Sequence, residues 1–523
     1  MLLKLPVDVS DFSVLREAGY LYVDKTRSAY DLITGGRRYF LSRPRRFGKS
    51  LMVSTLNEIF NCNKILFNGL WLAQSDYHWQ PYGVINLDFS RFSSQSAAKF
   101  EIGLIDCLMK IAKSYQVVID SSTGELGIIF ENLVLALREK YGRVAILIDE
   151  YDRPLVHNLH AIKIAAALRY VMQDFFATIK SHDKKIDFVF ITGVSAFSKS
   201  GLFSGLNNLQ NLTLDAECAA ICGYTDVEID NYFHDYINLW AQQKKTTGLK
   251  LRQELKDWYN GYRFSVSAVT VYNPFSLTNA FNMQECKNFW LQTGTPTFLI
   301  SELKQTYRKL EYRLLDPESF EVTEDSLGLF DIEAVPLPAL MFQTGYLTID
   351  KYDVRRAAYS LCYPNQEVRR SAQNYLLAVF TLSDPNILKT TILKLEASLN
   401  NQAIDLAIDL LKIIFAKVPY PLHIPLESFY HSLLQMVLVA AGIKSQAEYN
   451  TSHGSIDLVL DLPNVIYVVE TKFNKTAELA LAQINHKRYY EPFLDSNKKI
   501  ILLGINFQKI TGNFEITYAF KQL

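Results

Sequence analysis

The junction that most constrains this chain lies at residues 39 to 60. There an apolar, strand-like Tyr39-Phe40-Leu41 passes through Arg43-Pro44-Arg45-Arg46-Phe47-Gly48-Lys49-Ser50 into a helical pattern running from Ser50 to Phe60. A strand that becomes a helix through Gly-Lys-Ser aims backbone N–H groups, the positive end of a helix and one ammonium at a single point. The serine hydroxyl adds a magnesium ligand. These are the requirements of a nucleotide-phosphate site, with Arg45, Arg46, Phe47, Gly48, Lys49 and Ser50 as its lining and ATP and Mg2+ as its occupants. The usual pattern opens with glycine six positions before the lysine; that place is Arg43, and Pro44 stiffens the loop. Alone, the string also fits a basic turn ahead of an ordinary helix.

A second element changes the balance. Val144-Ala145-Ile146-Leu147-Ile148 is an unbroken apolar run, the mark of a strand buried on both faces, and it ends in Asp149-Glu150. Ligands of open α/β sheets sit at such carboxyl ends. Asp149 is placed to hold magnesium, directly or through water, and Glu150 to polarise the water that attacks the γ-phosphate. Val84 to Phe89 and Phe188 to Gly193 read as further strands, and residues 97–115, 125–140 and 162–180 as helices. Strands alternating with helices predict an α/β fold with a parallel sheet covered on both faces. Thr192 or Ser195, at the exit of the last strand, would sense a γ-phosphate or hold the lytic water; a capping hydroxyl is the other reading of each.

Residues 258–298 are aromatic and turn-rich, from Trp258-Tyr259-Asn260-Gly261-Tyr262-Arg263-Phe264 through Tyr272-Asn273-Pro274 to Trp290 and Thr293-Gly294. Arg263 is there either an arginine finger or part of packed turns. From about 300 to 415 the chain is charged and helical, with Leu347-Thr348-Ile349 and Tyr359-Ser360-Leu361 as a candidate small sheet and Ile404 to Phe415 as a packed helix. The layout predicted is 1–285, a connector over 286–415, and 416–523.

At 523 residues, 49% of them apolar, the chain has material for two or three cores. Lys plus Arg and Asp plus Glu both number 54, so any contact with nucleic acid must come from a local patch. Of six cysteines only Cys218 and Cys222 are near neighbours, which fits buried thiols better than half a zinc site. The start, Met1-Leu2-Leu3-Lys4-Leu5-Pro6, lacks a signal-peptide core and no apolar run is long enough to span a bilayer, so a cytoplasmic location is expected.

A second acidic set lies in the last hundred residues. Ser455-Ile456-Asp457-Leu458-Val459-Leu460 and Ile466-Tyr467-Val468-Val469-Glu470-Thr471-Lys472 read as strands joined at Asp461-Leu462-Pro463-Asn464. Glu470 and Lys472, two apart, project from one strand face, and Asp457 would face them across the hairpin. Two carboxylates holding magnesium beside an ammonium suit phosphodiester hydrolysis. Glu427, at the head of Glu427-Ser428-Phe429-Tyr430-His431, is a candidate third carboxylate, and Gln483 and Lys487 share a helical face from which they would grip the substrate backbone. A cross-strand ion pair in a plain hairpin is the competing reading. His431, His453 and His486 lack zinc-ligand spacing and read as surface or cap residues.

Tyr22-Val23-Asp24-Lys25-Thr26, Arg43-Pro44-Arg45-Arg46-Phe47-Gly48-Lys49-Ser50, Ile148-Asp149-Glu150-Tyr151-Asp152-Arg153-Pro154, Thr192-Gly193-Val194-Ser195 and Tyr272-Asn273-Pro274 resemble the bacterial AAA-ATPase-like family. Glu427 to His431, Asp457 and Glu470-Thr471-Lys472 resemble the PD-(D/E)XK nuclease superfamily domain that commonly follows it. The resemblance implies a P-loop NTPase core of the additional-strand type, a helical or winged-helix-like connector and a restriction-endonuclease-like C-terminal domain. It also implies that Arg43 in place of glycine is a family trait. Ile456 stands where the superfamily name expects proline.

The expected protein is an ATPase whose nucleotide state licenses a magnesium-dependent cut in DNA or RNA, a part that would suit mobile-element or phage-defence biology by analogy. Glu150, Asp457, Glu470 and Lys472 would carry the chemistry, and assembly into an oligomer is allowed. The rival is a nucleotide switch or scaffold whose C-terminal fold binds nucleic acid or a protein without cutting.

Overall fold

The computed structural model describes residues 2–159, 161–196, 202–203, 206, 208–290, 320–328, 336–381, 385–418, 426–510 and 513–523. Residues 291–319, Thr293-Gly294 among them, 329–335 and 382–384 of the winged-helix-like connector expected over 286–415 lie outside the described residues. The chain separates into two compact units. The first is formed by the described residues of Met1–Leu299 and Phe320–Glu367, the second by those of Val368–Leu523, so the stretch 286–415 is divided between them.

The first unit is built on five parallel strands: β1 Arg38–Ser42, β2 Gly83–Asp88, β3 Val144–Asp149, β4 Phe188–Gly193 and the short β5 Gln210–Asn211. Their order is β2-β3-β4-β1-β5. β4 is thus inserted between β1, which feeds the Gly-Lys-Ser turn, and β3, which carries the acidic pair; this is the additional-strand arrangement. Every residue of β1, β3 and β4 is buried, as strands covered on both faces require. The helix Ala97–Ser114 lays Phe100, Leu104 and Leu108 on the sheet at helical spacing. Leu126–Tyr141 adds Phe130, Leu133 and Leu137, and Ile162–Ser181 adds Leu168, Met172 and Phe176. Each such side chain contributes about 1.5–3 kcal/mol by leaving water. A second cluster gathers Trp240, Tyr259, Tyr272 and Phe281 around Leu21 and Val23. β6 Glu321–Thr323, β7 Thr348–Asp353 and β8 Ala358–Cys362 make a small antiparallel sheet in the order β6-β8-β7.

The second unit carries a mixed sheet of β9 Ser445–Thr451, β10 Gly454–Asp461, β11 Val465–Phe473, β12 Lys499–Ile510 and β13 Asn513–Gln522, ordered β13-β12-β11-β10-β9. Only β11 and β12 run parallel within it, and the helix Ala477–His486 makes the crossover that a parallel pair needs. Ala480 and Ile484 are buried on that helix; Ile484 packs with Val468 and Leu502. Neither β12 nor β13 is anticipated above, although Ile500-Ile501-Leu502-Leu503 is a fully apolar run. Among the described residues no helix is long and apolar enough to cross a membrane.

Candidate active sites

In the first unit β1 ends at Ser42 and the chain turns through Gly48, whose φ of +94° only glycine adopts without strain, into the helix Lys49–Phe60. Lys49 is buried, and its Nζ donates to Arg43 O at 2.9 Å and Pro44 O at 3.0 Å. Arg43 explains the missing glycine. Its guanidinium turns inward, donating to Ser42 O at 2.9 Å, Thr213 O at 2.8 Å and Cys218 O at 3.0 Å, and it lies 4.3 Å from the centre of the Phe264 ring. Burial pulls its pKa down to about 10, which leaves it charged at neutral pH. Arg43 therefore braces the loop from behind, where a glycine could hold nothing.

The remaining loop residues are fixed in turn. Phe47 is buried with its ring edge-on to Tyr262 and Phe264, 4.7 and 5.5 Å away. The Trp290 indole donates to Arg45 O at 3.2 Å. Arg46, at a φ of +69°, pairs with Asp8 at 2.6 Å and covers the Phe275 ring at 4.6 Å. The result is a cavity of about 340 Å³ lined by Lys25, Arg46, Gly48, Lys49, Ser50 and Glu150 among others, the size of a small-ligand site.

The end of β3 closes this site. Asp149 is buried and its Oδ1 accepts from Glu150 N at 2.9 Å; burial, reinforced by the charge of Glu150 and opposed by the nearby Ser50 side chain, raises its pKa to about 6. Glu150 reaches the cavity because its backbone takes a φ of +51°, a strained conformation for a residue with a side chain. Asp152 is committed elsewhere: its Oδ2 accepts from Ser195 N at 2.7 Å, and both oxygens accept from Val194 N at 3.2 Å, tying β3 to the exit of β4. Ser195 O accepts from the Tyr151 hydroxyl at 2.8 Å. Thr192 is fully buried and its hydroxyl finds no partner among the described residues. Gly193 must stay bare, since a Cβ there would run into Asp152 and sit 2.7 Å from the Tyr151 ring. Gly193→Ala is expected to cost about 1–3 kcal/mol by overpacking, read as a lowered melting temperature.

Arg263 is occupied by backbone carbonyls. Its guanidinium donates to Ser265 O, Val266 O, Ser267 O and Asp350 O between 2.6 and 3.2 Å, so it pins packed turns.

In the second unit the register of β10 with β11 pairs Leu458 with Val469, which brings Asp457 beside Glu470 and Thr471. Asp457 Oδ2 accepts from both the N–H and the hydroxyl of Thr471 at 2.8 Å. Glu470 is buried; Oε1 accepts from Lys472 Nζ at 3.0 Å and from the Gln483 amide, while Oε2 finds no partner among the described residues. Burial, with Asp457 adding and Lys472 opposing, pushes Glu470 up to about 7. Lys472 Nζ also donates to Thr471 O at 3.0 Å and stands 3.6 Å from Glu427 Oε1. Although burial works against its charge, these carboxylates raise the Lys472 pKa. Glu427 accepts from Phe473 N at 3.2 Å.

Gln483 thus turns its amide to Glu470, whereas Lys487, at the helix end, is exposed. Among the described residues no three carboxylate, imidazole or thiol side chains converge on one point; the acidic centre is the pair Asp457 and Glu470. His431, read from the sequence as a surface or cap residue, is half-buried, and its Nε2 lies 2.9 Å from Asp457 O. Its spacing of four from Glu427 on one helix was the available signal.

Two family models match the sequence: a predicted AAA-ATPase over residues 6–203 and the PD-(D/E)XK nuclease superfamily over residues 426–516. A protein of Azotobacter chroococcum mcd 1, described as an uncharacterized protein in the vnfD 5′ region, is 35% identical over 520 residues, covering 97% of this chain and 96% of its own. Among solved structures, Cdc6p from Pyrobaculum aerophilum aligns at 12% identity and a TM-score of 0.27, covering 80% of this chain and 84% of that one. The Aeropyrum pernix ORC1 protein in complex with DNA aligns at 11% and 0.24, covering 67% and 91%. At such TM-scores neither carries an argument.

Proposed function

The chain belongs to the predicted AAA-ATPase family and carries a C-terminal PD-(D/E)XK nuclease superfamily domain, and we propose that it hydrolyses ATP and that its nucleotide state licenses a magnesium-dependent cut in DNA or RNA. Residues 1–285 form the ATPase part, 286–415 the connector and 416–523 the nuclease part of this reading, which places the protein in the cytoplasm, in mobile-element or phage defence. The observation that carries it is the joining of Asp457, Glu470 and Lys472 on adjacent strands with one Glu470 oxygen buried and unpartnered. A buried carboxylate oxygen without a donor is costly unless a cation meets it.

For ATP, the N–H groups at Gly48, Lys49 and Ser50 and the Lys49 ammonium take the phosphates once that ammonium leaves the Arg43 and Pro44 carbonyls. Glu150 orients the attacking water and Thr192 offers its free hydroxyl to the γ-phosphate. Magnesium fits two oxygen-donor sets, Ser50 with Asp149 and Asp457 with Glu470. When bound, it would polarise the phosphate and acidify a water. Around the second set, Thr471 fixes Asp457, Gln483 fixes Glu470, and Lys472 holds positive charge where phosphoryl charge develops. The scaffold reading has one observation of its own: Lys472 and Gln483 both already satisfy Glu470 Oε1. Incubating the protein with plasmid, single-stranded DNA and RNA, with and without ATP and magnesium, decides between them; cleavage is expected, and its absence in every combination sinks the nuclease.

Glu150→Gln is expected to keep ATP bound while slowing its hydrolysis by about a hundredfold or more, because the amide keeps the shape but cannot act as a base. Filter binding beside a phosphate-release assay checks this, and normal turnover would move the water-positioning role to another residue.

A further inference from the structure

The chain has no net charge, so attraction to nucleic acid has to come from a local concentration of cations. One stands at the edge of the five-stranded sheet opposite the phosphate loop, where β1, β3 and β4 begin. Covering helices run antiparallel to the strands of a parallel sheet, so the ends of Leu126–Tyr141 and Ile162–Ser181 meet the strand starts there. The hydrogen bonds fix the neighbours. Val189 N donates to Arg37 O at 2.8 Å, Asp187 N to Val144 O at 2.9 Å, and Arg138 Nη1 to Lys185 O at 3.5 Å.

Two acids of this edge are spent on arginines, Asp183 on Arg38 at 2.7 Å and Asp187 on Arg138. Glu131 lies 2.9 Å from His182, a contact that is ionic only when the imidazole is protonated. Arg37, Lys140, Arg143, Lys180, Lys184 and Lys185 are exposed, and none makes an ion pair among the described residues, although Lys140 Nζ donates to Tyr115 O at 2.6 Å; exposed Glu139, half-buried Glu131 and half-buried Glu58, which is held by Asn57 and Asn63, offset these six cations only in part. Helix dipoles account for Lys140 and Lys180, which lie in last turns, but not for Arg37, Arg143, Lys184 and Lys185. Rings are interleaved with the cations: Arg143 lies 5.6 Å from the centre of Tyr82, and Lys140 Nζ 5.8 Å from that of half-buried Tyr141.

We propose that this edge is a second nucleic-acid contact, which holds the phosphate backbone of the substrate that the C-terminal domain cuts. It rests on the nuclease reading for the identity of the substrate. Three strand starts spaced about 4.8 Å apart spread the cations over roughly 10 Å, enough to meet several phosphates. Base edges play no part in the contact, so binding is indifferent to sequence and falls steeply with salt.

The test is fluorescence anisotropy with a short labelled DNA duplex and with single-stranded DNA and RNA, in chelator, over a range of salt. Lys184→Glu with Lys185→Glu is expected to weaken binding about tenfold or more and to reduce the slope of log affinity against log salt by about two. ATP turnover and melting temperature should stay at parental values. A milder pair, Arg37→Gln with Lys180→Gln, should act in the same direction and guards against a folding defect. If the parent binds and cuts nucleic acid but both pairs bind with parental affinity and slope, this contact does not exist. Labelled polyglutamate is titrated alongside; if both pairs lose polyglutamate binding while DNA and RNA binding stay intact, the edge belongs to an acidic protein and the proposal is overturned. A parent that neither binds nor cuts any nucleic acid overturns the nuclease reading and this one together.

Discussion

Lys49→Ala is expected to abolish measurable ATP binding at concentrations that saturate the parent, and turnover with it. The ammonium is the one buried cation of the phosphate loop with freedom to move: Arg43 is spent on three carbonyls, while Lys49 rests on two that it can release. A charge-assisted contact to phosphate is worth about 1.5–3 kcal/mol, or roughly ten- to more than a hundredfold in affinity. The same truncation removes a donor from Arg43 O and Pro44 O, at a cost of about 1 kcal/mol to the fold. Phe47, the Arg43 brace and the Trp290 contact on Arg45 O keep the loop in place, so the melting temperature should drop by a few degrees while affinity collapses. Isothermal titration beside a thermal melt reads both. Parental affinity in this variant would remove the phosphate-site assignment.

What could be read from the sequence follows from how local each feature is. The phosphate loop and the Asp149-Glu150 pair were visible because each is a consecutive string at the end of an apolar strand, and the sheet order then brings β1 and β3 to either side of β4. The role of Arg43 was not, because its partners Thr213 and Cys218 lie 170 and 175 residues further on. Arg263 illustrates the same limit: a lone arginine in a turn-rich stretch reads equally as a finger or a brace until the carbonyls around it are known. In the second unit, period-two alternation was enough to place Glu470 and Lys472 on one face, but register decides that Asp457 meets Thr471. The helical spacing of Gln483 and Lys487 was legible; that Gln483 faces the Glu470 carboxylate was not, since it depends on how the crossover helix packs on β11. β5 is only two residues long and carries no periodic signal at all.

The acidic pair of the second unit should show a conflict between stability and activity. In the metal-free protein Glu470 is buried and its pKa is raised to about 7 from 4.5. Between those values the folded chain keeps a proton that the unfolded chain has lost, so stability in chelator should fall as the pH rises through this window and level off above it. A difference of that size corresponds to about 3 kcal/mol. Glu470→Gln keeps the shape and the Gln483 and Lys472 neighbours but never ionises. It is expected to raise the melting temperature at pH 8 in chelator and to flatten its decline with pH, while cleavage is lost because the amide binds magnesium poorly. Asp457→Ala should likewise remove cleavage and leave ATP binding untouched, since the proposed ATP site is built by residues of the other unit. Lys472→Ala should slow cleavage while sparing magnesium affinity, because the ammonium acts on developing phosphoryl charge and not on the ion. Chelator melts from pH 4.5 to 8, magnesium titration and plasmid cleavage separate these outcomes. A Glu470→Gln protein that melts lower than its parent at pH 8 would show that the ionised carboxylate stabilises the fold as an ordinary partner of Lys472, and parental cleavage in all three variants would leave the pair as a plain cross-strand contact.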